Sequence, residues 1–110
     1  MNQLEERLLD FSKECIKYAQ VVRQTPVSHP LISQFVRSST SVGANYSEAQ
    51  QAISHKDFRS KVFIAKKEIA ETLYWLELLR DFAPSSELTE EATEIKKILQ
   101  SITKKLKDPS

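Results

Sequence analysis

The sequence predicts an all-α protein: one antiparallel up-down-up-down four-helix bundle that takes up residues 1–110 as a single domain. Three observations support this fold class. The 110-residue chain contains one glycine and four prolines, so it has few helix breakers. Apolar residues make up 40% of it and charged residues 28%, the proportions of an amphipathic helical protein. The apolar residues recur at alternating spacings of four and three, the period of a helix with one buried face.

The first predicted helix covers about residues 2–23. Its apolar stripe is continuous from Leu4 to Val22 and includes the single cysteine, Cys15. Thr25-Pro26 ends the helix, because a residue before proline disfavours the helical backbone conformation.

The second predicted helix covers about residues 29–53 and starts at His29-Pro30, since proline is tolerated in a first turn. Its inner stripe is expected to run from Ile32 to Ile53. The middle of the helix is rich in serine and contains Gly43, which lowers its intrinsic helicity. Small side chains let a neighbouring backbone approach, so packing is expected to hold this stretch in place.

The third and fourth predicted helices cover about residues 55–82 and 86–107. Ser54 and Asp57 predict a capping box at the start of the third, and Ser85 or Ser86 caps the fourth. The core stripe of the third helix is Phe58, Val62, Ala65, Ile69, Leu73 and Leu76, and that of the fourth is Leu88, Ala92, Ile95, Leu99, Ile102 and Leu106. Lysines including Lys107 suit the end of the fourth helix. The third helix has a second apolar flank, which is wider than one bundle core needs and is therefore expected to meet another subunit. This flank consists of Ile64, Trp75, Leu79 and Phe82.

Composition argues against several function classes. The formal net charge is +1, so no global field attracts nucleic acid or anionic membranes, and no apolar run is long enough to span a bilayer. A single cysteine and no apparent signal peptide predict a cytoplasmic protein. His29 and His55 have no further ligands at metal spacing, and one glycine cannot build a phosphate loop. We expect no enzyme activity, no cofactor, no metal and no small-molecule substrate.

Polar residues near the apolar sectors are candidates for a subunit or partner interface. Arg37 could pair with Glu48, Glu68 or Glu71, either across helices or across subunits, and such a pair would contribute specificity more than stability. A solvated surface is the alternative for each charge taken singly. The full set of interface candidates is Arg37, Ser41, Asn45, Glu48, Glu68, Glu71 and Trp75.

Basic residues of the third helix form a possible nucleic-acid face. They are Lys56, Arg59, Lys66 and Lys67. The alternative is a solvated face in which Lys67 pairs with Glu71 one turn away. Tyr74 is the aromatic residue on this side that could stack on a base.

Two long motifs carry a resemblance to a known family. The run RSSTSVGANYSEAQ at 37–50 is followed by KDF at 56–58 and by IAKKEIAETLYWLELL at 64–79. Together they resemble the bacterial four-helix-bundle family named for the protein encoded in 23S ribosomal RNA intervening sequences. The resemblance covers nearly the whole chain. The matching motif positions are Arg37, Ser41, Gly43, Ala44, Asn45, Glu48, Lys56, Phe58, Glu68, Glu71 and Trp75.

The resemblance has two functional implications. Members of the family are up-down bundles that associate as ring-like homopentamers, which implies a non-enzymatic homo-oligomeric binding or scaffold protein. A related branch, the accessory protein of diversity-generating retroelements, binds a reverse transcriptase and nucleic acid through a basic surface. That branch implies an RNA- or DNA-binding alternative for this chain. The matched positions are carried over as structural and interface residues with no catalytic role.

Overall fold

The chain forms four α-helices in a computed structural model that describes residues 1–106. α1 spans Gln3–Val21, α2 spans Ser28–Gln50, α3 spans His55–Leu79 and α4 spans Ser86–Lys104. The described residues contain no strand. Each helix packs against the next one along the chain, and α4 also contacts α1, though less extensively than the other three pairs. The predicted all-α class and the number of helices are confirmed.

The helices end two to three residues earlier than predicted, and the last turns of α2 and α3 tighten as they end. At the end of α2, the Gln51 N–H donates to the Glu48 carbonyl, and at the end of α3 the Phe82 N–H donates to the Leu79 carbonyl. Such three-residue turns satisfy terminal carbonyls without continuing the α-helix. α4 ends at Lys104. The predicted end at 107, with Lys107 as a terminal cation, falls outside the described residues.

Ile53 corrects the predicted inner stripe of α2. The helix stops at Gln50, so Ile53 lies in the connection to α3, and its exposed fraction is 97%. The sequence spacing continued the apolar stripe past the true end of the helix, where the periodicity no longer applies.

Side chains cap the starts of α1 and α3 but not the start of α4. Asn2 forms a full capping box with Glu5, which the sequence analysis did not identify. At α3, the Asp57 N–H donates to the Ser54 hydroxyl over 3.1 Å, so the predicted Ser54 cap is present. No return bond from the Asp57 side chain forms, which leaves the predicted capping box half complete. Ser85 is the N-cap of α4, but its hydroxyl lies near the Thr89 hydroxyl and accepts no backbone N–H.

One apolar core lies between the four helices. Its fully buried members come from every helix and match most of the predicted stripes, whereas Phe58 and Leu73 of α3 are half-buried at its edge. Two large members, Tyr18 and Phe35, meet edge to face with ring centroids 5.6 Å apart. The largest fully buried side chains are Phe35, Leu8, Ile69, Leu76, Leu79, Ile95 and Leu99.

Leu79 also corrects the predicted second flank of α3. Its side chain is fully buried inside the subunit, and Trp75 and Phe82 pack partly against the same core. The flank therefore serves mainly the subunit itself, and only Ile64 among its four residues is exposed.

Gly43 is a point of close approach between α1 and α2. A Cβ atom at this position would lie 3.3 Å from the Leu8 Cβ and 3.4 Å from the Leu8 carbonyl oxygen. The backbone of α2 is ordinary helix here, so the glycine is required for space and not for its backbone freedom. The sequence predicts a close approach at the middle of α2, where small side chains are frequent, and the neighbour there is α1.

Cys15 is expected to resist alkylation in the folded protein. The side chain is fully buried in the core, and burial raises the pKa of its thiol to about 12. Treatment with iodoacetamide at mildly alkaline pH should leave the native protein unmodified, as judged by intact mass, and should modify it fully in denaturant. Native modification at the rate of a free cysteine peptide would contradict this expectation.

Candidate functional site

The outer surface between α2 and α3, here called the α2–α3 seam, holds the predicted interface residues. On α2, Arg37, Ser41, Asn45 and Glu48 share one side of the helix because of their three- and four-residue spacing. Arg37 and Glu48, at the two ends of this row, both pair with residues of α3. Glu68, Glu71 and Trp75 are the predicted residues on the α3 side of the seam.

Arg37 bridges two carboxylates of α3. Its Nη1 donates to Glu68 Oε2 over 3.2 Å, and its Nη2 donates to Glu71 Oε2. The Nε of the same guanidinium donates to the Gln34 side chain over 3.2 Å. Glu68 is 6% exposed, whereas about half of the Arg37 side chain is exposed. The predicted Arg37 pairing is thus found within one chain, across helices, with Glu68 and Glu71.

Glu48 is not part of this cluster. Its carboxylate lies 3.5 Å from the Nζ of Lys61, which is near the start of α3. Glu48 itself is about three turns away from Arg37 along α2. The alternative pairing of Arg37 with Glu48 within the chain is therefore wrong. Asn45 donates its amide to the Ser41 carbonyl and to the Ser41 hydroxyl, each over 2.9 Å. These two predicted residues bond to each other along α2.

Trp75 completes the cluster around Glu71. Its indole N–H donates to Glu71 Oε2 over 3.0 Å, and its ring meets Tyr74 edge to face at a centroid distance of 5.3 Å. These donors favour the ionised form of Glu71: the Trp75 hydrogen bond, followed by Arg37, lowers the pKa of the carboxyl. The hydrogen bond to Glu71 in turn raises the pKa of Arg37.

Two buried hydroxyls lie beneath the cluster. The Thr72 hydroxyl is 3.0 Å from the Ser38 hydroxyl across the α2–α3 contact, and it also bonds to the Glu68 carbonyl over 2.8 Å. Both residues are fully buried. The serine-rich middle of α2 was evident from the sequence but this contact was not, because it depends on how α2 and α3 are placed along each other.

The stability provided by Glu71 is expected to disappear in acid. Because its pKa in the folded state lies below the ordinary value of 4.5, its contribution is present above that value and declines as the pH falls through the folded-state pKa. We expect Glu71→Gln to cost about 1 kcal/mol near neutral pH and less at low pH. Urea unfolding at several pH values measures this difference. The control is Glu77→Gln, which removes an exposed carboxylate paired with the exposed Arg80. A Glu71→Gln cost that stays constant into acid would contradict the expectation.

An apolar rim runs beside the seam on the outer side of α3. It consists of Ile64, Tyr74 and Leu78, all of which are exposed; Tyr74 is 61% exposed and Leu78 is 39% exposed. The sequence predicted Tyr74 on the basic face and gave no prediction for Leu78. Their spacing with Lys67 and Glu71 places them on one outward side of α3.

The predicted basic face is divided between two places. Lys66 and Lys67 line a shallow groove of about 240 Å³ together with Phe63 and, from α4, Lys96. The Lys66 ammonium lies 5.8 Å from the centre of the Phe63 ring. Lys96 was not predicted because it belongs to another helix, and only the packing of α3 against α4 brings it here.

The other two predicted cations, Lys56 and Arg59, lie in the first turns of α3. The Arg59 Nε is buried and has no hydrogen-bond partner within the described residues 1–106. Lys67 forms no ion pair within 4 Å among the residues 1–106, so the alternative Lys67–Glu71 pairing is absent at that distance. Lys67 still contributes to the lowered pKa of Glu71 through its charge.

A larger groove lies between α1 and the beginning of α4. It has a volume of about 650 Å³ and was not predicted. Arg7 holds one wall through a two-point bond to Glu91, with nitrogen-to-oxygen distances of 2.7 and 2.9 Å. The hydroxyl of Tyr18, a residue that lines the groove, donates to the Ala83 carbonyl over 2.8 Å. The apolar lining residues are Phe11, Tyr18, Val21, Pro84 and Leu88, and the charged ones are Glu14, Lys17, Glu87 and Glu91.

The titratable groups of residues 1–106 include no cluster of three or more His, Cys, Asp or Glu side chains that could hold a metal ion. None of the four helices is both long enough and apolar enough to cross a bilayer.

Four helices around one apolar core, with a paired polar cluster on one seam, define a small all-α helical-bundle protein.

A family model described as 23S rRNA-intervening sequence protein matches residues 3–108. The chain belongs to this family. It is also similar to a protein of unknown function from the S23 ribosomal protein family of Bacteroides thetaiotaomicron VPI-5482, whose crystal structure is known. The two chains are 36% identical with a TM-score of 0.81, over 91% of this chain and 97% of the other. None of the curated proteins matches the chain.

Proposed function

We propose that this protein is a non-enzymatic binding or scaffold protein of the cytoplasm, built as an antiparallel up-down-up-down bundle and assembled into a ring-like homopentamer. Contacts between helix ends support the antiparallel order. Asn2 of α1 bonds to Gln50 at the end of α2, while Glu48 near that end pairs with Lys61 near the start of α3. The free thiol of Cys15 suits a reducing compartment.

The apolar rim beside the α2–α3 seam is the observation that carries self-association. Tyr74 and Leu78 are exposed side by side, while the polar cluster next to them is satisfied within the chain. Burying an aromatic and an aliphatic side chain in a subunit contact would remove apolar surface from water, which favours association. The paired charges of Arg37 and Glu71 at the edge of the rim would set the specificity of that contact.

Light scattering coupled to size exclusion tests the proposal. Five 12.6 kDa chains would give a mass of about 63 kDa. The double variant Tyr74→Ser/Leu78→Ser should reduce this mass towards that of one chain. Leu9→Ser is the control, because Leu9 on α1 is exposed to the same extent as Leu78. A wild-type protein that is monomeric at micromolar concentration would refute self-association.

An alternative function is nucleic-acid binding, alone or with a reverse transcriptase. The observation that favours it is the groove in which Lys66, Lys67 and Lys96 gather around Phe63. In a ring, this weak site would be repeated and would gain avidity. The family is also named for a ribosomal RNA.

Binding to a labelled RNA or DNA at increasing salt tests this alternative. The affinity should fall steeply with salt, because counterions are released on binding. Lys66→Glu/Lys96→Glu should abolish binding, whereas Lys13→Glu on α1 should reduce it little. Unchanged binding by the double variant would exclude this groove.

A further inference from the structure

We infer that the groove between α1 and the beginning of α4 binds a short basic amphipathic helix of a partner protein. The inference rests on the proposed binding function and names the site and the chemistry of the partner, but it does not depend on the ring. The partner helix carries one apolar stripe that is flanked on both sides by lysine or arginine side chains.

The groove is long enough for about three turns of helix. On α1 its lining runs from Phe11 to Val21, a span of about 15 Å at the rise of an α-helix. On the other side the lining runs from Pro84 to Glu91. The groove is open to water, and its volume is about 650 Å³. An amphipathic helix binds by laying its apolar face into an open groove of this kind.

The floor of the groove is apolar. The buried core residues Phe11 and Tyr18 also line the groove, and Leu88 of α4 packs against the same core. Val21, the last residue of α1, lines the groove as well and is 74% exposed. A partner that places leucine or phenylalanine side chains over these residues removes apolar surface from water, which favours association.

The charged lining of the groove is mainly acidic. It consists of three carboxylates, those of Glu14, Glu87 and Glu91, and one ammonium group, that of Lys17. The chain as a whole has a formal net charge of +1, so this acidity is local. Carboxylates occur on both walls, because Glu14 belongs to α1 and the other two belong to α4. A partner with cations on both sides of its apolar stripe therefore complements the groove, whereas an acidic partner is repelled.

Two of the three carboxylates are available to a partner. Glu87 has no ion-pair partner within 4 Å among residues 1–106. Glu14 pairs with Lys17 over 3.2 Å, but both side chains are mostly exposed, so the pair is weak and a cation of the partner can replace Lys17. Glu91 is held by the two-point bond from Arg7 and keeps its place in the wall.

The start of α4 does not make the groove a site for anions. A helix N-terminus attracts negative charge, but Glu87 in the first turn of α4 already supplies that charge from within the chain. A nucleic acid or an acidic peptide would also meet Glu14 and Glu91. Cations gather instead in the Lys66–Lys96 groove, so the two grooves suit partners of opposite charge.

Fluorescence anisotropy with three labelled peptides and the full chain tests the inference. Each peptide is about 12 residues long, which is roughly three helical turns. The first has leucines at alternating three- and four-residue spacing flanked by lysines, the second has glutamates in place of the lysines, and the third has serines in place of the leucines. The first peptide should bind at least about tenfold more tightly than either of the others, and added salt should weaken its binding.

Variants of the groove locate the bound peptide. Glu87→Lys should weaken binding of the basic peptide by about tenfold, and Glu14→Lys/Glu87→Lys should bind the acidic peptide more tightly than the wild type does. Glu48→Lys is the matched control, because Glu48 is an exposed carboxylate of α2, which lines neither wall. Val21→Ser should also weaken binding, unlike Ile53→Ser, which changes an exposed apolar residue outside the groove. Circular dichroism verifies that each variant is folded.

Four results would overturn the inference. They are equal binding of the basic and acidic peptides, no binding of any of the three peptides, and binding of the basic peptide that Glu87→Lys and Val21→Ser leave unchanged. The fourth is a lower assembled mass for Val21→Ser than for the wild type in light scattering, because another subunit would then cover the groove. The mass of the wild type decides the proposed self-association separately, so failure of the groove and failure of the ring are distinguishable.

Discussion

Replacing Arg37 with methionine is expected to lower the free energy of unfolding by about 2–3 kcal/mol. The substitution removes the guanidinium that pairs with Glu68 and Glu71. Glu68 is nearly buried and would lose its charged partner, which is the costly way to break an ion pair. We place the value below the roughly 3–5 kcal/mol expected for a fully buried pair, because about half of the Arg37 side chain is in water.

Urea unfolding monitored by circular dichroism measures this cost. A second substitution, Glu68→Gln, should restore more than half of the loss in the Arg37→Met background, because it removes the unpaired charge. Arg80→Met is the matched control: Arg80 pairs with Glu77, but both side chains are mostly exposed, so its loss should cost less than about 0.5 kcal/mol. Equal effects of the two arginine substitutions would show that the burial of Glu68 has no energetic consequence.

The second large effect is expected at Gly43. Gly43→Leu should destabilise the protein by about 3 kcal/mol, because even a Cβ atom here would lie 3.3 Å from Leu8. A leucine would have to push α1 away from α2, and the gain in helix propensity of about 1 kcal/mol cannot offset that shift. For Gly43→Ala the two effects nearly cancel, and we expect a change within about 1 kcal/mol.

Ala44→Leu is the control for Gly43→Leu. It adds the same side chain one position later in α2, where the residue is exposed. Thermal and urea unfolding of both variants should therefore separate the effect of crowding against α1 from the effect of adding a leucine to α2. A Gly43→Leu protein as stable as Ala44→Leu would mean that α1 and α2 can separate freely at this point.

The buried faces of the helices were predictable from the sequence. The stripe from Leu8 to Val22, for example, is buried as expected, because each apolar position is three or four residues from the next on the same helix. The close approach at Gly43 was also predictable in kind, since small side chains are concentrated in the middle of α2. What the sequence did not indicate is that Leu8 is the neighbour.

Helix ends were less predictable, and Ile53 shows why. Periodicity extends a stripe as long as apolar residues continue at the right spacing, but a helix stops where its terminal carbonyls find other donors. At Gln51 and Ala52 those donors form three-residue turns, and Ile53 emerges into water.

The polar cluster of the seam was predicted only as a set of candidates. The residue types were right, yet the choice among Glu48, Glu68 and Glu71 depended on how α2 and α3 are placed along each other, and the structure assigns Arg37 to the latter two. The Trp75–Glu71 bond could have been read from four-residue spacing on one helix, whereas Thr72–Ser38 could not.

The sequence by itself determined the number of helices, their buried faces and the residues available for the seam, because these follow from spacing within single helices. Only the tertiary structure decided which charges pair, which apolar residues stay in water and where grooves open. The groove beside Tyr18 opens between α1 and α4, which pack against each other less extensively than the other neighbouring helices do. Distances between helices depend on the packing of the whole core, and no local pattern records them.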